Sequence, residues 1–290
     1  MDPSASTRPP TEKTLTATDG TCLFTRTWWP AGPPHAALLI VHGYAEHSGR
    51  YHRLAGHLTE AGYVVHAYDH RGFGRSEGRR GRVVLATALH DLDRVVAHLR
   101  QQAPGRALLM LGHSMGGTLA ALYAITHQPY LAGLLLSSPA LRIPILPPLQ
   151  PLVRVLGRIL PGLPTLPLDR RGLSHDPEVV RQAEADPLNY HGATPAGTAA
   201  ALLEAGRTVL DRAAHLTLPL LITHGTADPI ADPQGSEALY ERAGATDKTL
   251  SLFEGFYHEP FNEPDGRIVI DTLTDWLEEH TPAWAGTRDT

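Results

Sequence analysis

Three residue types in a fixed order carry the candidate chemistry of this 290-residue sequence: a serine, an aspartate and a histidine. The serine is Ser114, inside Gly112-His113-Ser114-Met115-Gly116-Gly117. An apolar run, residues 107–111, leads into this stretch, and an Ala/Leu-rich segment, 118–124, leaves it. Strand, sharp turn and helix form the setting in which Gly-x-Ser-x-Gly lifts a serine to the top of a sheet as a nucleophile. The requirement is steric. Strand and helix cross closely at so tight a turn, and Gly112 and Gly116 supply the room.

A serine hydroxyl attacks well only when an imidazole takes its proton, and the imidazole needs a carboxylate to orient it. In this kind of sheet the order is Ser, then Asp, then His. The apolar run 218–223 opens into His224-Gly225-Thr226-Ala227-Asp228-Pro229, and the run 249–253 opens into Glu254-Gly255-Phe256-Tyr257-His258-Glu259. Asp228 and His258 therefore each sit on the loop after a strand, in the expected order. Asp232 is the nearest rival for the acid but lies deeper into a helix start, and His224 reads as a structural neighbour of the acid loop. Acyl transfer also needs N–H donors for the oxyanion. The backbone of Met115, at the start of the helix, is one candidate. Tyr44, just after His42-Gly43, is the other.

Other uses of the 17 histidines are poorly supported. His42 with His47, or His52 with His57, could be imagined as metal ligands, but no His-Glu-x-x-His or comparable cluster occurs, so no metal and no cofactor are expected. The stretch Asp69-His70-Arg71-Gly72-Phe73-Gly74 lacks the glycine spacing that opens a helix in dinucleotide sites. The net charge of −5 offers no basic face for nucleic acid. Cys22 is the only cysteine, which rules out an internal disulfide and reads as a small buried hydrophobe. Met1 to Pro10 is polar and proline-rich, unlike a signal peptide, and no window of about 18 apolar residues exists for a membrane helix. A cytoplasmic protein is the expectation, with peripheral membrane association left open.

The elements that must position these residues follow from hydrophobic periodicity. Strands are expected at 15–17 and 22–29, joined by a turn, then as buried apolar runs at 36–41, 63–68, 107–111, 131–137, 219–223 and 249–253. Helices are expected at 51–61, 85–102, 114–127, 236–242 and 268–279. Short apolar strands alternating with amphipathic helices imply an α/β fold with a mostly parallel central sheet covered on both faces. Every polar, glycine-rich motif falls just after a strand, where such sheets gather their sites. The rhythm breaks once. Residues 138–218 far exceed the dozen or so that a parallel crossover needs. They are read as an inserted cap, 140–205, after the sixth strand. The core domain is then 13–139 with 206–282, after a disordered lead-in of residues 1–12. Within the cap, Leu149, Leu152, Val153, Leu156, Ile159 and Leu160 form an apolar helical stripe. Two readings of it stand: packing of the cap on its own domain, or a lid that lines an acyl pocket and makes transient contact with a lipid surface.

With these residues in hand, the sequence resembles the α/β-hydrolase superfamily, in particular its monoacylglycerol lipase and lysophospholipase-like branch. The resemblance spans about residues 20–280. It rests on His42-Gly43-x-x-Glu46-His47-Ser48-Gly49-Arg50-Tyr51, on Asp69-His70-x-Gly72-x-Gly74-x-Ser76-Glu77-Gly78 and on the Ser114 motif, with support from Leu173-Ser174-His175-Asp176-Pro177 and Ala185-Asp186-Pro187-Leu188. It implies an α/β-hydrolase fold and hydrolysis of fatty-acid carboxylic esters, monoacylglycerols first, through an acyl-enzyme on Ser114. It further implies an apolar tunnel under the cap and places Arg50 and His113 near the alcohol end of the substrate. Tyr44 departs from the small residue common after His-Gly in these lipases. Small-ester, lysophospholipid and aminopeptidase-type hydrolysis on the same fold remain alternatives, as does a non-enzymatic ligand-binding role. Nothing in the sequence bears on oligomeric state.

Overall fold

The computed structural model describes residues 9–281. Eight strands form one sheet: β1 (Thr11–Thr16), β2 (Cys22–Trp28), β3 (Ala37–Val41), β4 (Val64–Tyr68), β5 (Leu108–His113), β6 (Gly133–Ser137), β7 (Leu220–Gly225) and β8 (Lys248–Phe253). Their spatial order is β1-β2-β4-β3-β5-β6-β7-β8. The β1–β2 and β2–β4 pairs are antiparallel and the remaining pairs parallel.

The apolar runs become central strands because they can be buried on both faces. Alternate residues of β3 divide between two cores: Ala37, Leu39 and Val41 join one, Leu38 and Ile40 the other. The first core is closed by α2 (Leu85–Gln102), α3 (Met115–His127), α6 (Ala196–Arg212) and α7 (Gln234–Arg242). The second is closed by α1 (His52–Glu60) and α8 (Arg267–His280), which contribute Leu54, Leu58, Leu273 and Trp276. The sheet is thus covered on both sides, as the alternating pattern predicts.

The edges depart from the sequence reading. β1 begins at Thr11, earlier than the expected 15–17, because only Leu15 of this strand is buried and the others leave no apolar pattern. The expected lead-in, residues 1–12, is therefore shortened at its end, and residues 1–8 lie outside the described residues. β8 was expected to be buried but forms the opposite edge, where Leu252 remains 39% exposed. Cys22 is only half-buried, since it opens an edge-proximal strand.

Between β6 and β7 the chain runs through α4 (Gln150–Ile159), α5 (Pro177–Ala185) and α6. The expected boundary at 205/206 falls inside α6, which is continuous. Its later residues Ala205 and Val209 belong to the first core, while its first turns pack under α4. Gly206 does not break the helix. A side chain there would meet the Leu141 carbonyl oxygen at 2.4 Å. Gly157 of α4 lies similarly close to Ala200, so the two helices cross nearly in contact. The apolar stripe of α4 splits. Val153 and Leu156 turn inward, whereas Leu152, Val155 and Ile159 face solvent, Ile159 at 70% exposure.

Candidate active site

Ser114 sits between β5 and α3 at φ 53°, ψ −121°, a backbone conformation that non-glycine residues rarely adopt. Its surroundings hold it there. The Ser114 N–H donates to the Ser137 carbonyl at 3.0 Å, and its own carbonyl accepts from Ala140 and Thr118. The flanking glycines are a matter of space: a Cβ on Gly116 would lie 2.0 Å from the Val41 carbonyl oxygen, and one on Gly112 2.6 Å from that of Gly116.

The Ser114 hydroxyl donates to His258 Nε2 at 2.8 Å, and His258 Nδ1–H donates to Asp228 Oδ2 at 2.7 Å. The tautomer follows from the partners, because a carboxylate can only accept. Asp228 is held in turn: Oδ1 accepts from the Ile230 and Ala231 N–H groups, and Oδ2 accepts from His224 Nε2–H at 3.0 Å. His224 is fully buried, and its other nitrogen lies 2.7 Å from the Ser236 hydroxyl. Burial opposes ionisation of Asp228, yet the charge of His258 and the hydrogen bonds from both histidines outweigh it and keep the carboxyl well below its ordinary range. Burial likewise opposes protonation of His258, and Asp228 overcomes it, so its pKa stands above the usual imidazole value. The three residues come from the carboxyl ends of β5, β7 and β8 and meet across 144 residues of chain.

Met115 heads α3, where the first N–H groups lack an intrahelical acceptor. Among the described residues neither its N–H nor that of Tyr44 has a protein acceptor. Both residues border the same cavity as Ser114. The Tyr44 ring packs edge-on against Phe73 and Tyr190, and its hydroxyl donates to the Gly81 carbonyl. The Gly43 N–H before it is taken by Glu46 Oε1 at 2.6 Å, which fixes the turn.

Arg50 and His113 also border this cavity. Arg50 binds the Glu259 carboxylate with both terminal nitrogens, one at 2.9 Å, and reaches Glu46 Oε2 at 3.2 Å. Burial would depress its ionisation, but the two carboxylates more than compensate. The His113 ring lies 4.9 Å from that of His258, and its Nδ1–H donates to the Ser137 carbonyl. Burial pushes its pKa down to about 3. Glu46 and Glu259 gained notice only as parts of motifs, with no role of their own. The Arg50 partner of Glu259 is 209 residues away, which no spacing rule can reveal.

Three of the four histidines considered as metal ligands are otherwise engaged. His42 Nδ1–H donates to the Gly43 carbonyl, and His42 Nε2 accepts from the His70 N–H. His47 Nε2–H donates to Asp186 at 2.8 Å, and His52 accepts from the Trp28 indole. The Asp69 motif is scaffold for the same loops: its carboxylate accepts from the Ser48 and Arg75 N–H groups, and Gly74 leaves room for it.

The cavity measures about 530 Å³. One part of its wall is apolar and comes from the β6–β7 excursion: Ile145, Leu149, Val153, Leu168 and Leu202. The other is the charged cluster of Glu46, Arg50 and Glu259. An acid-held histidine on a strained serine, beside two free N–H groups, is equipped to attack a carbonyl carbon and stabilise the resulting oxyanion.

Residues 32–265 match the family model described as serine aminopeptidase, S33. The monoacylglycerol lipase of Mycolicibacterium smegmatis is 40% identical over 256 residues, covering 87% of this chain and 91% of that protein. The human monoglyceride lipase is 36% identical, covering 94% and 92%. Among solved structures, a soluble variant of the Saccharomyces cerevisiae monoglyceride lipase with a substrate analogue superposes with a TM-score of 0.87 at 26% identity, over 97% of this chain and 99% of that one.

Proposed function

The chain belongs to the serine aminopeptidase S33 family of α/β-hydrolases, in its monoacylglycerol lipase-like branch, and on that premise we propose that Ser114, His258 and Asp228 form its catalytic triad. It is a carboxylic ester hydrolase. The substrate class proposed is a monoacylglycerol. Ser114 Oγ attacks the ester carbon while His258 Nε2 takes its proton and Asp228 steadies the imidazolium. The Met115 and Tyr44 N–H groups receive the developing oxyanion. His258 then protonates the departing alcohol, and a water molecule, activated by the same imidazole, releases the fatty acid.

The observation that carries this reading is the two-sided cavity at Ser114. An apolar wall suits an acyl chain, and a charged cluster suits a hydroxylated alcohol. Arg50 and His113 are assigned to the alcohol end. The excursion between β6 and β7 acts as the cap. An aminopeptidase would need carboxylates free to hold an amine, whereas Glu46 and Glu259 are already bound to Arg50, with Glu46 also accepting from Tyr51. No helix among the described residues is long and apolar enough to cross a membrane. Leu146, Leu152, Val155, Ile159 and Leu166, all half-exposed or more, instead suit reversible docking of the cap on a lipid surface from the cytoplasm.

The test is turnover of p-nitrophenyl esters of two to sixteen carbons beside monoolein and lysophosphatidylcholine. The expected result is a preference for monoolein and a loss of at least about 10³-fold in Ser114→Ala. Activity confined to the shortest esters would replace this reading with a small-ester hydrolase.

A further inference from the structure

His258 stands on the loop between β8 and α8, whose only regular piece is the 3-10 turn Pro260–Asn262. Something else must hold its backbone. Three consecutive N–H groups show what does. The His258 N–H donates to the Gly172 carbonyl at 3.2 Å and the Glu259 N–H to the Leu173 carbonyl at 2.8 Å, both in the β6–β7 excursion. The Tyr257 N–H donates to Glu263 Oε1 at 2.7 Å.

Glu263 is 2% exposed and does not border the cavity. Its carboxylate gathers the same piece of the excursion. Oε2 accepts from the His175 N–H at 2.9 Å and lies 3.3 Å from the Ser174 hydroxyl, while Oε1 accepts from His175 Nδ1–H at 3.0 Å. The Ser174 hydroxyl also reaches the Asn262 carbonyl at 3.0 Å, and the His175 ring stacks on Tyr257 with centroids 3.7 Å apart. Each carboxylate oxygen thus faces a backbone N–H, one just before His258 and one in the excursion. Only an acceptor-only group satisfies both, and an amide would set an NH₂ against one of them.

We infer that Glu263 is a positioning residue for His258: its carboxylate fixes the Tyr257 backbone against residues 172–175 and so aims the imidazole between Asp228 and Ser114. The inference rests on His258 being the base. It makes this segment of the cap a fixed part of the catalytic apparatus, and Glu263 acts without touching substrate.

The experiment is Glu263→Gln in the full chain, assayed with p-nitrophenyl butyrate across pH, with titration of reactive Ser114 by a fluorophosphonate and Ser114→Ala in parallel. A misaimed base should cost about 10- to 100-fold in kcat, with KM changed less than about twofold. The acid limb of kcat/KM should also move to lower pH, because an imidazole that has drifted from Asp228 loses the charge that raises its pKa. The groups facing His258 are Asp228 with His224 behind it, His113, and the Glu46–Arg50–Glu259 cluster. The substitution alters none of them but removes a buried negative charge of its own, so a limb that moves the same way in Ser174→Ala with His175→Phe, which keeps that charge, reports the His258–Asp228 contact. A fall in kcat that only tracks the loss of titratable Ser114, with the limb unmoved, would reduce Glu263 to a structural role and overturn the inference. Should Glu263→Gln fail to fold, Ser174→Ala with His175→Phe removes two partners of the carboxylate while retaining a ring on Tyr257. About a 3- to 10-fold lower kcat and the same direction of shift is then expected, and unchanged kcat overturns the inference. Turnover surviving in Ser114→Ala would instead undo the triad reading beneath it.

Discussion

With His258 as the proposed base, the pH behaviour turns on its ring. Asp228 holds its pKa above the ordinary imidazole value of about 6.5 despite complete burial. Turnover requires the neutral ring, so kcat/KM should fall as pH drops through that raised value and be full above it. Asp228→Asn removes the charge that raises it. The expected outcome is a limb displaced to lower pH and a plateau reduced on the order of 10⁴-fold, read from pH–rate profiles of the two proteins. At this scale the sequence is legible where chemistry coincides with strand ends. Ser114, Asp228 and His258 each follow an apolar run, and the structure brings them within 2.8 Å and 2.7 Å of their partners. Glu259 and Glu263 follow no such rule. Their significance lies in Arg50, Ser174 and His175, which only folding brings near.

Among the elements, the central strands announce themselves because burial on two faces demands continuous apolar runs; the run 249–253 announces β8 as well but not that it is an edge, and β1 shows only at Leu15, because an edge strand is held mainly by its backbone. The α6 boundary was misplaced for a related reason: one uninterrupted helix serves two packing surfaces, α4 early and the sheet face later. α4 itself carries the element-scale prediction. It has no fully buried residue and presents Leu152, Val155 and Ile159 to solvent. Replacing these three with serine should leave hydrolysis of a short soluble ester within about twofold, since exposed substitutions typically change stability by about 0.5 kcal/mol or less. Sedimentation with phosphatidylglycerol-containing vesicles should fall at least about tenfold, each lost aliphatic side chain removing part of the apolar contact. Equal vesicle binding by both proteins would dismiss α4 as the docking element.

At the scale of the whole molecule, the excursion is fastened at several places and looser at α4. Residues 172–175 are tied to the His258 loop, Asp186 and Tyr190 to His47 and Ala45, Thr198 to Gly81 and Val83, and Arg142 to Asp232. α4 rests chiefly on α6. Local opening should therefore be uneven: amide exchange across 150–159 should be at least about tenfold faster than across 200–209, where α6 enters the core. Matching protection in both segments would mean that the excursion opens as one piece. That the chain departs from the sheet after β6 is legible from length alone, but where it is fastened depends on contacts between distant loops.

The order of the strands along the chain also bears on truncation. The proposed nucleophile, oxyanion donors and acid are all encoded before β8, while the proposed base and Glu263 follow that last strand. On the proposed roles, a chain terminated before His258 lacks its base, and loss of ester hydrolysis in such a truncation is the expected outcome.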